Sequence, residues 1–294
     1  MFYVWFIKLY RGNFESYFCR MTLNCNGNLI DLSTPKVMGI LNLTPDSFYD
    51  GGKYREEGQI LTQVEKMLLE GATFIDVGAY SSRPGAAAVN TEEELSRITP
   101  IVSKIVKAFP DIMLSVDTFR SQVADACLDE GAAIVNDIAA GLQDPHMFNV
   151  VAKHQVPYIM MHMKGTPQNM QKQTDYKNLI TEMLFYFSER IAKAREHHIN
   201  DIIIDPGFGF SKTLEQNYGL LQKMDLLQTL NLPILVGISR KSMIYKALDK
   251  TPQEALNGTT ALHMVALRNG AQILRVHDVE AAMECIRLNE LLTK

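Results

Sequence analysis

The chain of 294 residues is 47% hydrophobic and 21% charged, with a formal net charge of −4, a balance that excludes a disordered, collagenous or coiled-coil protein. A slightly acidic chain has no electrostatic footprint for nucleic acid, so no nucleic-acid partner is expected and any anionic ligand must be held by a local site. No apolar stretch reaches the roughly 18–20 residues that span a bilayer, so no membrane partner is expected.

Residues 1–20 are crowded with aromatics, including the only tryptophan, Trp5, and Lys8 and Arg11 follow the apolar run instead of preceding it. That order is wrong for a signal peptide. The segment reads as an extension upstream of Met21, and residues 21–294 as one domain. Cys19, Cys25, Cys127 and Cys285 form no CxxC pair and no zinc-ligand spacing. They are expected to be reduced thiols in a cytoplasmic protein.

From Lys36 onward, short apolar runs alternate with longer amphipathic stretches. The runs are Val37–Leu43, Thr73–Val77, Ile112–Val116, Ala133–Asn136, Val156–Met160, Asp201–Ile204, Pro233–Gly237 and Gln272–Arg275. Each is nearly continuous in hydrophobicity, the pattern of a parallel strand buried on both faces. Between them, Ile60, Val64, Met67 and Leu68 share one helical face, as do Ile98, Ile101, Val102 and Ile105. Thr91 with Glu94 predicts a capping box, and Gly71, Gly131 and Gly270 predict helix stops. Eight such units predict an α/β fold, a single (β/α)8 TIM barrel. A doubly wound sheet shares the alternation, but no G-x-G-x-x-G or phosphate-loop motif opens any helix.

Barrels of this kind gather function at the C-terminal ends of their strands. Those ends carry Asn42 to Ser47, Asp76 and then Ser81 to Gly85, Asp117, Asn136-Asp137, Met161-His162-Met163, Asp205 to Phe210, Ser239-Arg240-Lys241, and Arg275 with His277. Asp117, Asn136 and Asp205 supply acceptors that suit a flat heterocycle rich in N–H donors. Arg83, Lys241, Arg275 and His277 supply donors and positive charge for an anionic group. A structural reading stands beside each residue taken alone. Asp117 and Asp205 could cap the following helices, and Asp137 suits that role better than ligand binding. His162 reads as a satisfied buried histidine, Lys212 as solvent-exposed, and Gly207 and Gly209 as parts of a tight turn. The arrangement of polar groups on one mouth is what the structural reading does not cover.

The segments G-I-L-N-L-T-P-D-S-F from Gly39, S-S-R-P-G-A from Ser81, S-V-D-T from Ser115, N-D-I from Asn136, M-H-M-K-G-T-P from Met161, D-P-G-F-G-F from Asp205, S-R-K-S from Ser239 and R-V-H-D-V from Arg275 together resemble the dihydropteroate synthases of the pterin-binding barrel family. The resemblance implies a transferase of folate biosynthesis and a sulfonamide target. Such an enzyme condenses 6-hydroxymethyl-7,8-dihydropterin diphosphate with 4-aminobenzoate, releasing 7,8-dihydropteroate and pyrophosphate with Mg2+ as cofactor. It implies Lys241, Asp117, Asp205 and Arg83 as catalytic residues. The pterin would be held by Asp117, Asn136, Ile138, Met161, Asp205, Phe210, Gly237 and Lys241. Pyrophosphate would meet Asn42, Ser82, Arg83, Arg275 and His277, with Asn42 also at the metal. Ser82, Arg83, Pro84, Phe210, Lys241 and Ser242 would form the 4-aminobenzoate pocket. A homodimer is expected on the same ground, with small-molecule substrates as the other partners.

Ser82 stands where many relatives carry threonine, which keeps the hydroxyl. Two other readings compete: a methyltetrahydrofolate:corrinoid methyltransferase, which shares the pterin-facing residues but has no use for Arg83, Arg275 and His277, and a non-catalytic pterin-binding paralogue, which has no need to keep the lysine.

Overall fold

The computed structural model describes residues 21–43, 53–80 and 89–293. The expected upstream extension, the Thr44–Ser47 strand end and the Ser82, Arg83 and Pro84 trio lie outside the described residues. An antiparallel hairpin, β1 (Thr22–Cys25) and β2 (Asn28–Asp31), precedes the repeating units. These run β3 (Lys36–Asn42), α1 (Lys53–Leu69), β4 (Phe74–Gly78), α2 (Thr91–Ala108), β5 (Met113–Asp117), α3 (Ser121–Asp129), β6 (Ile134–Asp137) and α4 (Met147–His154). They continue as β7 (Tyr158–Met161), α5 (Leu179–Glu196), β8 (Ile202–Asp205), α6 (Leu214–Gln222), β9 (Leu235–Val236), α7 (Ser242–Tyr245), α8 (Leu256–Arg268), β10 (Ile273–Val276) and α9 (Val279–Thr293).

Strands β3 to β10 form one parallel sheet in the order β8-β7-β6-β5-β4-β3-β10-β9. An isolated bridge between Ile204 and Ile234 joins its two ends, so the sheet is a nearly closed barrel ringed by helices. The eight apolar runs read from sequence all become strands, and Gly71, Gly131 and Gly270 take φ of +103°, +103° and +93° where helices end.

Period two along each strand separates two cores. Outward residues such as Val37, Ile75, Leu114, Val135, Met160, Ile204 and Leu274 pack against the helices. Inward residues Met38, Phe74, Ile134, Ile159, Ile203, Leu235 and Ile273 fill the barrel floor. The hairpin plugs that floor from below with Leu23, Cys25 and Leu32. Its two-residue turn, Asn26-Gly27 at φ +51° and +86°, is the type I′ geometry that Asn-Gly favours.

Two local expectations are corrected. The cap of α2 is Asn90, whose side chain accepts the Glu93 N–H at 2.8 Å. Glu94 does not reciprocate: it turns inward, fully buried, accepts from the Thr118 hydroxyl at 2.8 Å and pairs with Arg120. Lys212 is not exposed but buried, for reasons that emerge at the mouth.

Candidate active site

One step up each strand from the apolar floor, the inward positions turn polar. Phe74 is followed at i+2 by Asp76, Ile134 by Asn136, Ile203 by Asp205 and Ile273 by Arg275. The same step takes Ile159 to Met161 and Leu235 to Gly237. Because side chains two apart share a face, the strands deliver these groups to one ring, and β5 extends it with Asp117, paired in register with Asn136.

The ring is tightly connected. Arg275 Nε donates to Asp76 Oδ2 at 2.6 Å, and its terminal nitrogen donates to Asp117 Oδ2 at 2.8 Å. Asn136 Nδ2 donates to the same Asp76 oxygen at 3.0 Å. Burial alone would lower the Arg275 pKa, but Asp76 and Asp117 push it above the ordinary guanidinium value. Asp117 is pushed up to about 7 by burial, which the charge of Arg275 only partly offsets and which Asp76 adds to. Its helix-cap reading falls away, since α3 begins after Arg120 with no side-chain cap.

Across the mouth, Asp205 is buried and its carboxyl is raised by that burial, against the charge of Lys241 and a 2.7 Å hydrogen bond from the Gly207 N–H. Lys241 is lowered to about 8 by burial, with Asp205 opposing the shift. Its Nζ donates to the Phe208 carbonyl and lies 4.7 Å from the centre of the Phe210 ring. Gly237 leaves room here: a Cβ would come within 4.0 Å of both Lys241 Nζ and Arg275 Cβ. Ile138, Met161, Met163 and Met170, with Phe119 and Phe210 against them, form an apolar wall beside the polar ring. A planar ring laid between them finds acceptors at its edge and thioether and aromatic groups on its face.

The turn after β8 is braced from beneath. Gly207 has φ +69°, and a Cβ there would lie 2.2 Å from the His162 carbonyl oxygen. Lys212 Nζ donates to the carbonyls of Gly207 at 2.9 Å and Phe210 at 3.0 Å and meets His162 Nδ1 at 3.2 Å. Burial lowers Lys212 to about 7 and puts His162 well below the ordinary imidazole value. His162 is buried and satisfied, as expected, but Asp137 does not cap the next helix, whose N-cap is His146: it holds the preceding turn, taking the N–H groups of Ala139 and Gly141 and the Tyr158 hydroxyl.

Other expected residues sit at the rim. Asn42, half-buried, ends β3. His277 Nδ1 and Ser239 Oγ are 3.1 Å apart, and Ser242 opens the four-residue α7. Asp76 belonged to no expected ligand set although it is the hub of the ring; its signal was a lone acid inside a fully buried strand at inward parity. Phe119 and Met170 were also not foreseen. Among the described residues, one acidic group has metal-ligating spacing, Asp125, Asp129 and His154. It lies on α3 and α4, outside the barrel, and Asp125 already holds Lys153 at 2.8 Å.

The chain matches the family described as pterin binding enzyme across residues 38–277. The dihydropteroate synthase of Synechocystis sp. is 45% identical over 259 residues, covering 87% of this chain and 89% of that protein. That of Escherichia coli is 43% identical over 272 residues, 92% and 96% of the two chains. The crystal structure of the Yersinia pestis dihydropteroate synthase with a sulfonamide drug complex superposes with a TM-score of 0.87 at 43% identity, covering 93% of this chain and 99% of that one. The chain therefore belongs to the pterin binding enzyme family. Within that family its place is among the dihydropteroate synthases, transferases of folate biosynthesis.

Proposed function

We propose that this mouth joins 6-hydroxymethyl-7,8-dihydropterin diphosphate to 4-aminobenzoate, releasing 7,8-dihydropteroate and pyrophosphate. What carries the reading is the convergence of Asp117, Asn136, Asp205, Lys241 and Arg275 on one ring above an apolar floor. Asp117, Asn136 and Asp205 accept the N–H donors of the pterin edge. Met161, Ile138 and Phe210 pack on its face, and Gly237 leaves the space it enters.

An arylamine is a weak nucleophile, so the carbon must be activated. The C–O bond to the diphosphate breaks first, leaving a methylene cation conjugated with the dihydropterin. Asp117 and Asp205 offset that charge, while Arg275 and His277 hold the departing oxyanions. The amine nitrogen then bonds to the methylene carbon and releases its proton to solvent. Lys241 stands between the two ligands, with Phe210 and Ser242 on the 4-aminobenzoate side. Sulfonamides, as 4-aminobenzoate mimics, compete there.

Asn42 offers a single neutral hard oxygen at the rim, which fits Mg2+, a cation usually held by one or two protein oxygens together with substrate phosphates and water. When bound, Mg2+ supplies charge stabilisation to the leaving pyrophosphate. The reading also takes residues 21–294 as one barrel domain working in the cytoplasm as a homodimer. No helix among the described residues is long and apolar enough to cross a membrane, and Leu288, Leu291 and Leu292 expose an apolar face on α9.

Pyrophosphate release from the dihydropterin diphosphate with Mg2+, measured with and without 4-aminobenzoate, tests the reading. Release that requires 4-aminobenzoate, with dihydropteroate formed in equal amount, is expected. Binding without release would indicate a non-catalytic binder, and no binding would overturn the assignment of the mouth.

A further inference from the structure

We infer that Asp76 is a positioning residue that turns the amide of Asn136, so that its oxygen, and not its nitrogen, faces the pterin. This rests on the reading of the mouth as the pterin pocket. A carboxylate only accepts hydrogen bonds, whereas an amide presents a donor at one end and an acceptor at the other. Asp76 Oδ2 lies 3.0 Å from Asn136 Nδ2, so the amide must point its NH2 down and back toward β4. Its Oδ1 is then left for a ligand that is rich in N–H groups.

The same oxygen of Asp76 takes Arg275 Nε at 2.6 Å. One buried carboxylate on β4 therefore fixes a β6 amide and a β10 guanidinium from opposite sides. Asp76 is 1% exposed, and its other oxygen, Oδ1, is buried with no hydrogen-bond partner among the described residues. Within the described residues it holds these two neighbours through Oδ2 alone. Without it, the Asn136 amide could rotate and present a donor to a donor. That costs both the lost bond and a mismatched contact.

Reversing the pair should rescue binding. In Asp76→Asn the new amide can still face Asn136, but nothing dictates which end of either group points where. In Asp76→Asn combined with Asn136→Asp, the hydrogen bond reforms in the opposite sense, and the new carboxylate at position 136 presents an oxygen to the ligand whichever way it turns. Asn136→Asp alone sets two carboxylates about 3 Å apart, so they share a proton to higher pH than an isolated carboxyl would, and losing it sets like charges against each other. Binding should then depend on pH through the proton they share. The charged groups around the pair are Arg275 on β10, Asp117 on β5, Asp205 on β8, Lys241 after β9 and Asp137 next along β6. The double variant leaves these unchanged and so controls for them.

Calorimetric titration with 6-hydroxymethylpterin, which carries the ring without the diphosphate, reads the effect, with melting temperature followed in parallel. Asp76→Asn should weaken binding by about tenfold or more, the worth of a mismatched buried hydrogen bond, and the double variant should recover most of that loss. Asn136→Asp should bind less tightly as pH rises from 6 to 9, beyond any drift of the wild type, and the double variant should lose this dependence. Wild-type affinity in Asp76→Asn, a double variant no better than Asp76→Asn, or a flat pH response in Asn136→Asp would overturn the assignment. If Asp76→Asn does not fold, the pH response of Asn136→Asp decides alone. Failure of the wild type itself to bind the pterin would overturn the reading of the mouth, and this role with it. Intact wild-type binding without rescue would overturn only the role of Asp76.

Discussion

Arg275 and Asp117 reach each other at 2.8 Å from β10 and β5, with β3 and β4 between their strands in the sheet. The contact is made inside the barrel mouth, and it leaves Asp117 with competing influences. Burial pushes its carboxyl up to about 7 even with the guanidinium beside it, and the negative charges of Asp76, Glu94 and Asp137 add to the rise. Lys241, on the far side, is brought down to about 8. The acceptor and the cation of the proposed chemistry thus titrate close together.

That proximity predicts a narrow bell for kcat/KM with the dihydropterin substrate. The pocket needs Asp117 ionised to accept N–H donors and Lys241 protonated to act as a cation. Activity should fall below pH about 7 as the carboxyl gains its proton, and above about 8 as the ammonium loses it. The two limbs belong to coupled groups, so each is an apparent value. Pyrophosphate release measured from pH 5.5 to 9.5 checks the shape. Asp117→Asn should lower activity and remove the acid limb from whatever remains.

Lys241→Ala removes the cation that stands between the two proposed ligands. The expected loss is about 2–4 kcal/mol in transition-state stabilisation, read as kcat/KM. A near-wild-type rate would show that the lysine serves the Phe208 carbonyl and not the reaction.

Lys212→Met tests the brace under the β8 turn. The carbonyls of Gly207 and Phe210 would lose their buried donor, at a cost of about 1–3 kcal/mol in stability. The pH dependence identifies the cause. The folded lysine loses its proton near 7, while the unfolded one keeps it to about 10.5. The penalty for burying the charge is therefore complete below pH 7 and relieved as pH rises from 7 toward 10.5. Urea midpoints at pH 7.5 and 9.5 should rise for the wild type and rise less for the variant. Lys241 adds a gain of the same sign to both.

Leu23→Ala acts at the opposite end of the barrel. Leu23 is 1% exposed in the hairpin that closes the floor, packed with inward residues of the strands. Truncation there should cost about 2–5 kcal/mol in the denaturant midpoint and leave the substrate KM values unchanged, since the polar ring lies above the apolar layer.

The repeating frame was legible because burial on both faces leaves a parallel strand no polar positions except where it enters the mouth. Runs such as Val156–Met160 and Asp201–Ile204 therefore stand out, and the ring residues follow at their ends. The hairpin was missed although Thr22–Asp31 alternates around Asn26-Gly27, a strong turn signal, because the period of the barrel begins only at Lys36. The predicted cap at Thr91 failed by one residue: Asn90 is the better acceptor, and Glu94 is drawn inward by Thr118 and Arg120. Lys212 and Asp76 were hidden for a common reason. Nothing local in the sequence tells whether a charged residue meets solvent or two carbonyls and an imidazole nitrogen, and only the closed sheet brings Asp76 to Arg275, 199 residues away.

His263 offers a test of a buried group that serves no visible partner. It lies in α8, 1% exposed, and neither ring nitrogen has a hydrogen-bond partner among the described residues. Burial holds its pKa down to about 4, with Asp278 opposing. The folded protein therefore keeps the ring neutral where the unfolded chain, near 6.5, gains a proton. By linkage, stability should be unaffected above pH 6.5 and should fall as pH drops from 6.5 toward 4, by on the order of 3 kcal/mol over the window. Replacing an unpaired buried polar group with an apolar one of similar size is neutral or stabilising. His263→Leu should hold or raise the melting temperature at pH 7.5 and should flatten its decline between pH 6.5 and 4.5. A variant that melts well below the wild type at pH 7.5 would mean that the imidazole nitrogens are satisfied in solution, by water or by a neighbour that turns toward them.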